Sequence, residues 1–292
     1  MTARRLIPWL AALSCFLGST LAQTLQVAYA GSMGVVMDRF LGPTFAKAHH
    51  VTYQGRGQGA YALARLIAAH QITPDVFVSI TPGPMEVLLK AGLIREAFPV
   101  ASTEMVIAYN PQSRFAPLFK NEPWYQVLET PGLRFGRTDP KTDPQGQNLI
   151  FTILLAERFY HQPDLLHKIL GSYLNPQQIF SEPSLLSRLE SGELDATSGY
   201  LSAVASLHLP YVTLPPQINL GNPRYSAYYA QVSFQLEGKT FHPQPLVFYA
   251  AVPVDAPNPA LGQAFIRFMR SPEGQALFNR NGYGPARGAP LR

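Results

Sequence analysis

A Gly-Ser pair near the start of the chain is the first feature that could do chemistry. Gly31 and Ser32 follow a short apolar run at residues 25–30 and precede residues 33–48, whose apolar side chains recur at helical spacing. A turn that opens a helix exposes unpaired backbone N–H groups at the positive end of the helix dipole, and a serine adds a hydroxyl donor. These groups suit an oxyanion. Serine is also a favoured helix N-cap, so a purely structural role for Ser32 is the alternative.

A polar loop at residues 137–146 is the second candidate binding element. It ends in Asp-Pro-Gln-Gly at residues 143–146 and precedes a helix predicted over residues 147–160. Asp139 and Asp143 both stand before proline, where aspartate opens a turn or caps a helix more readily than it forms an acid–base pair. A helix N-terminus here offers a second set of backbone donors.

A glycine-rich segment at residues 55–59 is a third, weaker candidate for anion binding. It contains Gln58 and Gly59, but no Gly-Lys-Ser/Thr follows it and it does not match GxGxxG. It is therefore neither a Walker motif nor a dinucleotide-binding fingerprint.

Enzymatic chemistry finds little support in the sequence. His49 and His50 are adjacent, so they diverge on a helix and face opposite sides on a strand. The chain has no HExxH motif, no spaced Cys/His set and no GxSxG elbow. These patterns favour a binding protein over an enzyme, with neither metal nor cofactor expected.

Composition narrows the class of protein further. Of 292 residues, 47% are hydrophobic and 14% charged, which excludes a disordered chain and allows a substantial core. The formal net charge is +5, without a Lys/Arg cluster of the nucleic-acid type. No nucleic-acid partner is expected.

The first 22 residues have the pattern of a secretory signal peptide. Arg4 and Arg5 precede an apolar stretch at residues 6–21, and small residues near Ala22 predict cleavage before Gln23. Cleavage there removes Cys15, the only cysteine. The alternative is a lipoprotein cut before Cys15 and anchored through it. Either way the protein is expected to be exported, to a bacterial periplasm.

The remaining chain alternates strands and helices. Strands are predicted near residues 25–30, 51–54 and 75–80, and helices at 33–48, 60–69 and 85–91. This alternation predicts an α/β fold with a parallel, doubly wound sheet. The alternation lapses near residue 110 and strand-rich segments return later, so two lobes are expected: residues 23–109 with 231–292, and residues 110–230.

Nearly all of the sequence after the signal peptide resembles the substrate-binding proteins of bacterial ABC importers, in particular the molybdate/tungstate-binding group. The matching pieces are LQVAYAGSM (25–33), GAYALARLIAAHQITPDVFVSI (59–80), RTDPKTDPQGQN (137–148), LESGELDATSGYLSAVA (189–205), LPPQINLG (214–221) and a C-terminal segment (250–285) common to many such receptors. The resemblance implies a type II periplasmic-binding fold. Two α/β lobes joined by a hinge would then close on ligand like a clamshell.

The resemblance also implies site residues. Ser32 matches the first-loop serine, which donates to a ligand oxygen, with Gly31 in support. Ala60 stands where a second serine is usual, so only its backbone N–H carries over, with Gln58 and Gly59 in the same loop.

Two further positions of the family pattern concern carboxylates. Asp143 matches a carboxylate near the metal atom of the oxyanion in the archaeal branch. Gly199 stands where that branch has a glutamate, and Tyr200 follows it. The matched positions thus lack one serine and one of the paired carboxylates. A four-coordinate oxyanion held by N–H and O–H donors remains open, and so does a different ligand.

The function expected from these features is a monomeric periplasmic receptor. It would capture a small oxyanion, of the molybdate or tungstate type, in the cleft between the lobes and deliver it to a membrane ABC permease. The alternatives are a receptor for sulfate, phosphate or a small organic ligand, and a secreted enzyme on the same bilobed fold.

Overall fold

The computed structural model describes residues 23–292. The predicted signal peptide at residues 1–22, with Cys15, lies outside the described residues.

Eleven strands are present in the described chain: β1 Thr24–Ala30, β2 Thr52–Gln58, β3 Val76–Ile80, β4 Phe98–Ser102, β5 Met105–Tyr109, β6 Phe135–Gly136, β7 Ala196–Tyr200, β8 Tyr211–Thr213, β9 Phe234–Leu236, β10 Lys239–Phe241 and β11 Val247–Ala251. The helices of the same residues are α1 Gly34–Val36, α2 Gly42–His49, α3 Ala60–Ala68, α4 Pro82–Lys90, α5 Leu118–Asn121, α6 Trp124–Leu128, α7 Pro144–Phe159, α8 Leu165–Leu170, α9 Glu182–Glu190, α10 Leu201–Ser206, α11 Ser226–Tyr229, α12 Pro259–Arg270 and α13 Pro272–Arg280. Short 3₁₀ turns lie at Gly31–Met33 and Pro223–Tyr225, and a π-helical turn at Met37–Leu41 joins α1 to α2.

Two mixed sheets organise these elements. The first has strand order β2-β1-β3-β11-β4, the second β6-β7-β5-β8, and β9 and β10 form a separate hairpin. Helices accompany both sheets, and strands such as β3 and β5 are buried along their whole length, as expected when both faces are covered. The predicted α/β fold of two lobes is confirmed.

The prediction of a parallel sheet is correct for part of the first sheet only. Strands β1, β2 and β3 run parallel, but β11 runs antiparallel to both β3 and β4. The reason is the chain path: β4 leaves the sheet at Ser102, and β11 enters it beside that point, with Ser102 opposite Val247. The Thr103 N–H donates to the Leu246 carbonyl at 3.1 Å, which ties the two crossing segments together.

The predicted lobe boundaries need two corrections. Strand β5, assigned to the first lobe, pairs with β7 and β8 in the second sheet, because the chain crosses over before Met105 and not after Tyr109. The β9–β10 hairpin, also assigned to the first lobe, packs on the second, where the Phe234 ring lies 5.0 Å from that of Phe151 and 5.1 Å from that of Tyr173.

The single helix predicted over residues 33–48 is interrupted. The 3₁₀ turn, α1, the π-helical turn and α2 follow one another there. None of the helices in residues 23–292 has both the length and the apolar character needed to cross a membrane.

Candidate functional site

Ser32 lies where β1 ends, in the 3₁₀ turn Gly31–Met33. Its backbone N–H donates to Glu182 Oε1 at 3.0 Å. Its hydroxyl makes no helix-capping hydrogen bond, and Oγ is buried without a well-aligned partner among the described residues. The N-cap alternative for Ser32 is therefore wrong, and both of its donors point to the region around Glu182.

Asp143 is the N-cap of α7. Its Oδ1 accepts a hydrogen bond from the Gln145 N–H at 2.8 Å, and Pro144 occupies the first helical position. This confirms the capping role predicted for Asp143 and sets its carboxyl group at the helix N-terminus. The residue is only 7% exposed.

Glu182, the first residue of α9, is the site residue that the sequence analysis missed. Its carboxyl group contacts both Ser32 and the Asp143 carboxyl group. A Cβ placed on Gly31 would lie 2.8 Å from Glu182 Oε2, so the missing side chain at Gly31 permits this close approach. The family pattern has its second carboxylate at position 199, on β7, where this chain has a glycine. The structure brings one from a different element.

Burial changes the acidity of both carboxyl groups. It raises the pKa of Asp143 to about 6, against the lowering effect of hydrogen bonds from the Gln145 N–H, Glu182 and Thr138. Burial and then the Asp143 charge raise the pKa of Glu182 well above its ordinary value, although Ser32 opposes this. Burial thus favours the protonated forms of both carboxyl groups.

Among the described residues, none of the charged groups that shift the pKa values of this pair is a cation. Asp139 adds negative charge on the Asp143 side. Burial is the main cause that raises the pKa of the Tyr200 and Tyr283 hydroxyls, and the nearby carboxyl charges raise it further. Arg137 is buried, but within the described chain its guanidinium donates hydrogen bonds to the Gln178 side chain and to the carbonyl oxygens of Ser172 and Tyr173.

The other predicted site residues take different positions. Ala60 is buried at the start of α3. A Cβ on Gly59 would lie 3.3 Å from the Thr142 carbonyl oxygen and 3.8 Å from Asp143 Oδ2, so this loop faces the Asp143 loop. Gln58 is exposed, and only its backbone approaches Gly31.

Tyr200 and Gly199 lie at the end of β7. Tyr200 is fully buried, and its hydroxyl accepts a hydrogen bond from Asn148 Nδ2 at 3.0 Å. Gly199 lines a cavity of about 340 Å³ together with Ser32 and Glu182. The charges of Asp143 and Glu182 raise the pKa of the Tyr200 hydroxyl, after burial as the main cause, so Tyr200 lies near the carboxyl pair that contacts Ser32.

Tyr283 joins this cleft from the C-terminal segment, and no local sequence pattern predicts it. Its hydroxyl donates to the Ser32 carbonyl at 3.3 Å.

Several buried polar atoms cluster around this cleft without aligned partners. In the described part of the chain Gln145 Oε1 and Ser198 Oγ have no partner, and the hydroxyls of Ser32, Thr138 and Ser202 have only poorly aligned ones, toward Glu182, Asp143 and Tyr283 respectively. A buried polar atom without a partner costs free energy, and so many near one cleft indicate a place where a polar ligand supplies the missing partners. Residues 23–292 hold no cluster of three or more His, Cys, Asp or Glu suited to a metal ion.

Known proteins are similar to this chain in sequence over part of their length. An uncharacterized solute-binding protein of Petrotoga mobilis is 37% identical over 189 residues, covering 62% of this chain and 59% of that protein. The molybdate/tungstate-binding protein WtpA of Thermococcus kodakarensis is 33% identical over 204 residues, covering 62% of this chain and 58% of that protein. The matches thus span about three-fifths of the length of these relatives.

A solved structure extends the likeness to the whole fold. The periplasmic molybdate-binding protein of Azotobacter vinelandii superposes with a TM-score of 0.66 at 18% identity, covering 89% of this chain and 98% of that one. The family described as bacterial extracellular solute-binding protein matches residues 25–284. The chain belongs to this family of solute-binding proteins.

Proposed function

We propose that this protein is the receptor of an ABC importer and that it binds an oxyanion of the molybdate or tungstate type between its lobes. The observation that carries the proposal is the Ser32 amide, which holds a carboxyl oxygen of Glu182 at 3.0 Å. An amide that binds a carboxyl oxygen in this geometry has the chemistry to bind an oxyanion oxygen.

The polar atoms around the cleft support the same ligand class. The hydroxyls of Ser32, Ser198 and Ser202 are buried donors without aligned partners in the described chain. Neutral donors and backbone dipoles bind oxyanions well, because they are fixed in direction and need no counter-charge. The relative named as a molybdate/tungstate-binding protein makes these two anions the first to test.

The two carboxyl groups restrict how the anion is held. The carboxyl groups of Asp143 and Glu182 lie together away from solvent, although Glu182 as a residue is partly exposed, and a fully ionised pair would repel an oxyanion. The raised pKa of both groups favours their protonated forms, which reduces this repulsion. In the proposed function the ligand is held by donors of the Ser32 loop on one lobe and by donors of the Asp143–Gly146 segment on the other. The receptor acts as a monomer in the periplasm and delivers the anion to a membrane permease.

A binding panel tests this proposal. The protein from Gln23 onward is titrated by calorimetry with molybdate, tungstate, sulfate, phosphate and two small organic acids. We expect saturable binding of molybdate or tungstate, and a melting temperature that rises with their concentration, because a ligand that binds only the folded state stabilises it. Binding of an organic acid alone would contradict the oxyanion proposal. Sulfate or phosphate as the tightest ligand would retain the oxyanion class but reject the molybdate type.

A further inference from the structure

Glu182 holds a position that a bound anion would need. We propose that Glu182 is a built-in competitor for the ligand: its carboxyl group lies on the Ser32 amide, and an incoming oxyanion must displace it to bind there. This inference rests on the proposed function and assigns a specific role to one residue of that site.

The contacts of Glu182 are those of an anion with the first loop. Oε1 accepts the Ser32 N–H at 3.0 Å, and Oε2 lies over Gly31, where a Cβ would be only 2.8 Å away. A second oxygen at the normal distance from the same amide would collide with Oε1, because hydrogen-bonded oxygens stand about 2.9 Å from the nitrogen along one direction. Glu182 and a ligand oxygen therefore exclude each other at this amide.

Glu182 is the member of the carboxyl pair that is free to move. Asp143 is fixed, because it caps α7 through the Gln145 N–H. Glu182 has a longer side chain, stands at the first position of α9, and is partly exposed as a residue. Asp143 cannot leave without the loss of the α7 cap, whereas Glu182 makes no such capping hydrogen bond among the described residues.

A displaced Glu182 carboxyl group has space and a cation to approach. The cavity of about 340 Å³ beside the Ser32 loop is lined by Glu182, Leu186 and Arg39. Arg39 is the single cation among the described residues that line it, and it has no ion pair within residues 23–292. Its acidic neighbour Asp38, which also lines the cavity, accepts hydrogen bonds from Tyr29 and Tyr53. If the Glu182 carboxyl group moves toward Arg39, it leaves the Asp143 carboxyl group and gains a positively charged neighbour.

The charges around Glu182 favour its departure when an anion arrives. Asp143 and Asp139 contribute negative charge from the α7 side, and the facing groups of β7 and the C-terminal segment are the neutral phenols of Tyr200 and Tyr283. An anion placed among these groups while Glu182 stays would add a like charge to a buried acidic pair.

The sign of the affinity change in Glu182→Ala tests the inference. Calorimetric titration with molybdate should give binding about three- to tenfold tighter than in the wild type, because the anion no longer breaks the Glu182 hydrogen bond. Glu190→Ala, an exposed glutamate at the other end of α9, is the matched control and should leave affinity unchanged. Unchanged or weaker molybdate binding in Glu182→Ala would overturn the inference, and weaker binding would make Glu182 a direct ligand.

A second measurement needs no ligand. Hydrogen exchange of the Ser32 amide should be faster in Glu182→Ala than in the wild type or in Glu190→Ala, and equal rates would also overturn the inference. If the wild type binds no oxyanion and Glu182→Ala binds none either, the proposed function fails. If the wild type binds molybdate and the variant does not bind it more tightly, only the role of Glu182 fails.

Discussion

Asp143 and Glu182 together show how a site that binds anions can contain acids. Each accepts a backbone N–H group, the Gln145 amide for Asp143 and the Ser32 amide for Glu182, and burial raises the pKa of both. Neither has a cation in contact within the described residues, since the ion pairs there involve other groups. Burial therefore dominates the pKa values of both groups. Because these values differ from those of the unfolded chain, the stability of the protein depends on pH.

The free energy of unfolding should fall as pH rises through the titration of this pair. Burial raises the pKa of Asp143 from 3.8 to about 6, so the folded state binds more protons than the unfolded state between these values. The contribution of Asp143 protonation to the free energy of unfolding is intact below about pH 4 and is lost as pH rises through about 6. The raised pKa of Glu182 extends this loss to higher pH. Urea unfolding from pH 4 to 8 measures it, as the difference between the wild type and Asp143→Asn.

The variant Asp143→Asn keeps an oxygen that can cap α7, so the comparison isolates the charge. A difference between the two proteins that does not change over this pH range would contradict the raised pKa.

Removal of the Ser32 hydroxyl should weaken oxyanion binding more than removal of the Asp143 charge. Ser32→Ala leaves a buried ligand oxygen without a donor, at a cost of about 1–3 kcal/mol. Asp143→Asn keeps the cap and removes a charge that repels the ligand. Calorimetry with the tightest ligand of the panel measures both, with the exposed Ser191→Ala as control. A larger loss in Asp143→Asn would show that its carboxylate contacts the ligand directly.

At the scale of elements, local signals in the sequence predicted the structure well. The Asp-Pro cap and the apolar spacing after it predicted α7, which spans Pro144–Phe159, and β-rich residues predicted β7 at Ala196–Tyr200. Both signals depend on neighbours in sequence. The position of Glu182 depends instead on how α9 packs against the Ser32 loop, and the sheet that receives β5 depends on where the chain crosses between lobes. Such contacts between distant residues leave no local pattern.

Gly146→Ala should destabilise the Asp143 loop by overpacking. A Cβ at Gly146 would lie 2.5 Å from the Thr138 carbonyl oxygen and 2.8 Å from the Pro140 nitrogen, both backbone atoms that cannot move aside cheaply. We expect a loss of about 1–3 kcal/mol in the free energy of unfolding, measured in urea. Gly34→Ala, also in a helix but with no atom within 4 Å of the new Cβ, is the control and should be neutral or stabilising. Equal stability of the two variants would contradict this account of the loop.

At the scale of the whole molecule, the two lobes are joined by crossing segments that pack closely. The Leu246 N–H donates to the Leu220 carbonyl at 2.9 Å, and the Met105 N–H donates to the Asn219 carbonyl at 2.8 Å. A Cβ on Gly221 would lie 2.5 Å from Glu104 Cβ, so a glycine is needed where these segments approach. Away from these crossings, the Glu182 contact with Ser32 ties α9 of the second lobe to the first-lobe loop.

Lobe closure on an oxyanion should be larger in Glu182→Ala than in the wild type. In the wild type the Ser32–Glu182 hydrogen bond already joins the lobes, so a hinge that closes on ligand has less distance to travel. Without that bond the lobes should separate further in solution and close when the anion bridges Ser32 and the α7 N-terminus. Small-angle X-ray scattering with and without molybdate measures the change in radius of gyration, with Glu190→Ala as the matched control, expected to behave as the wild type. A radius that molybdate leaves unchanged in both the wild type and Glu182→Ala, despite calorimetric binding, would contradict closure. An equal decrease in both would show that Glu182 does not hold the lobes together.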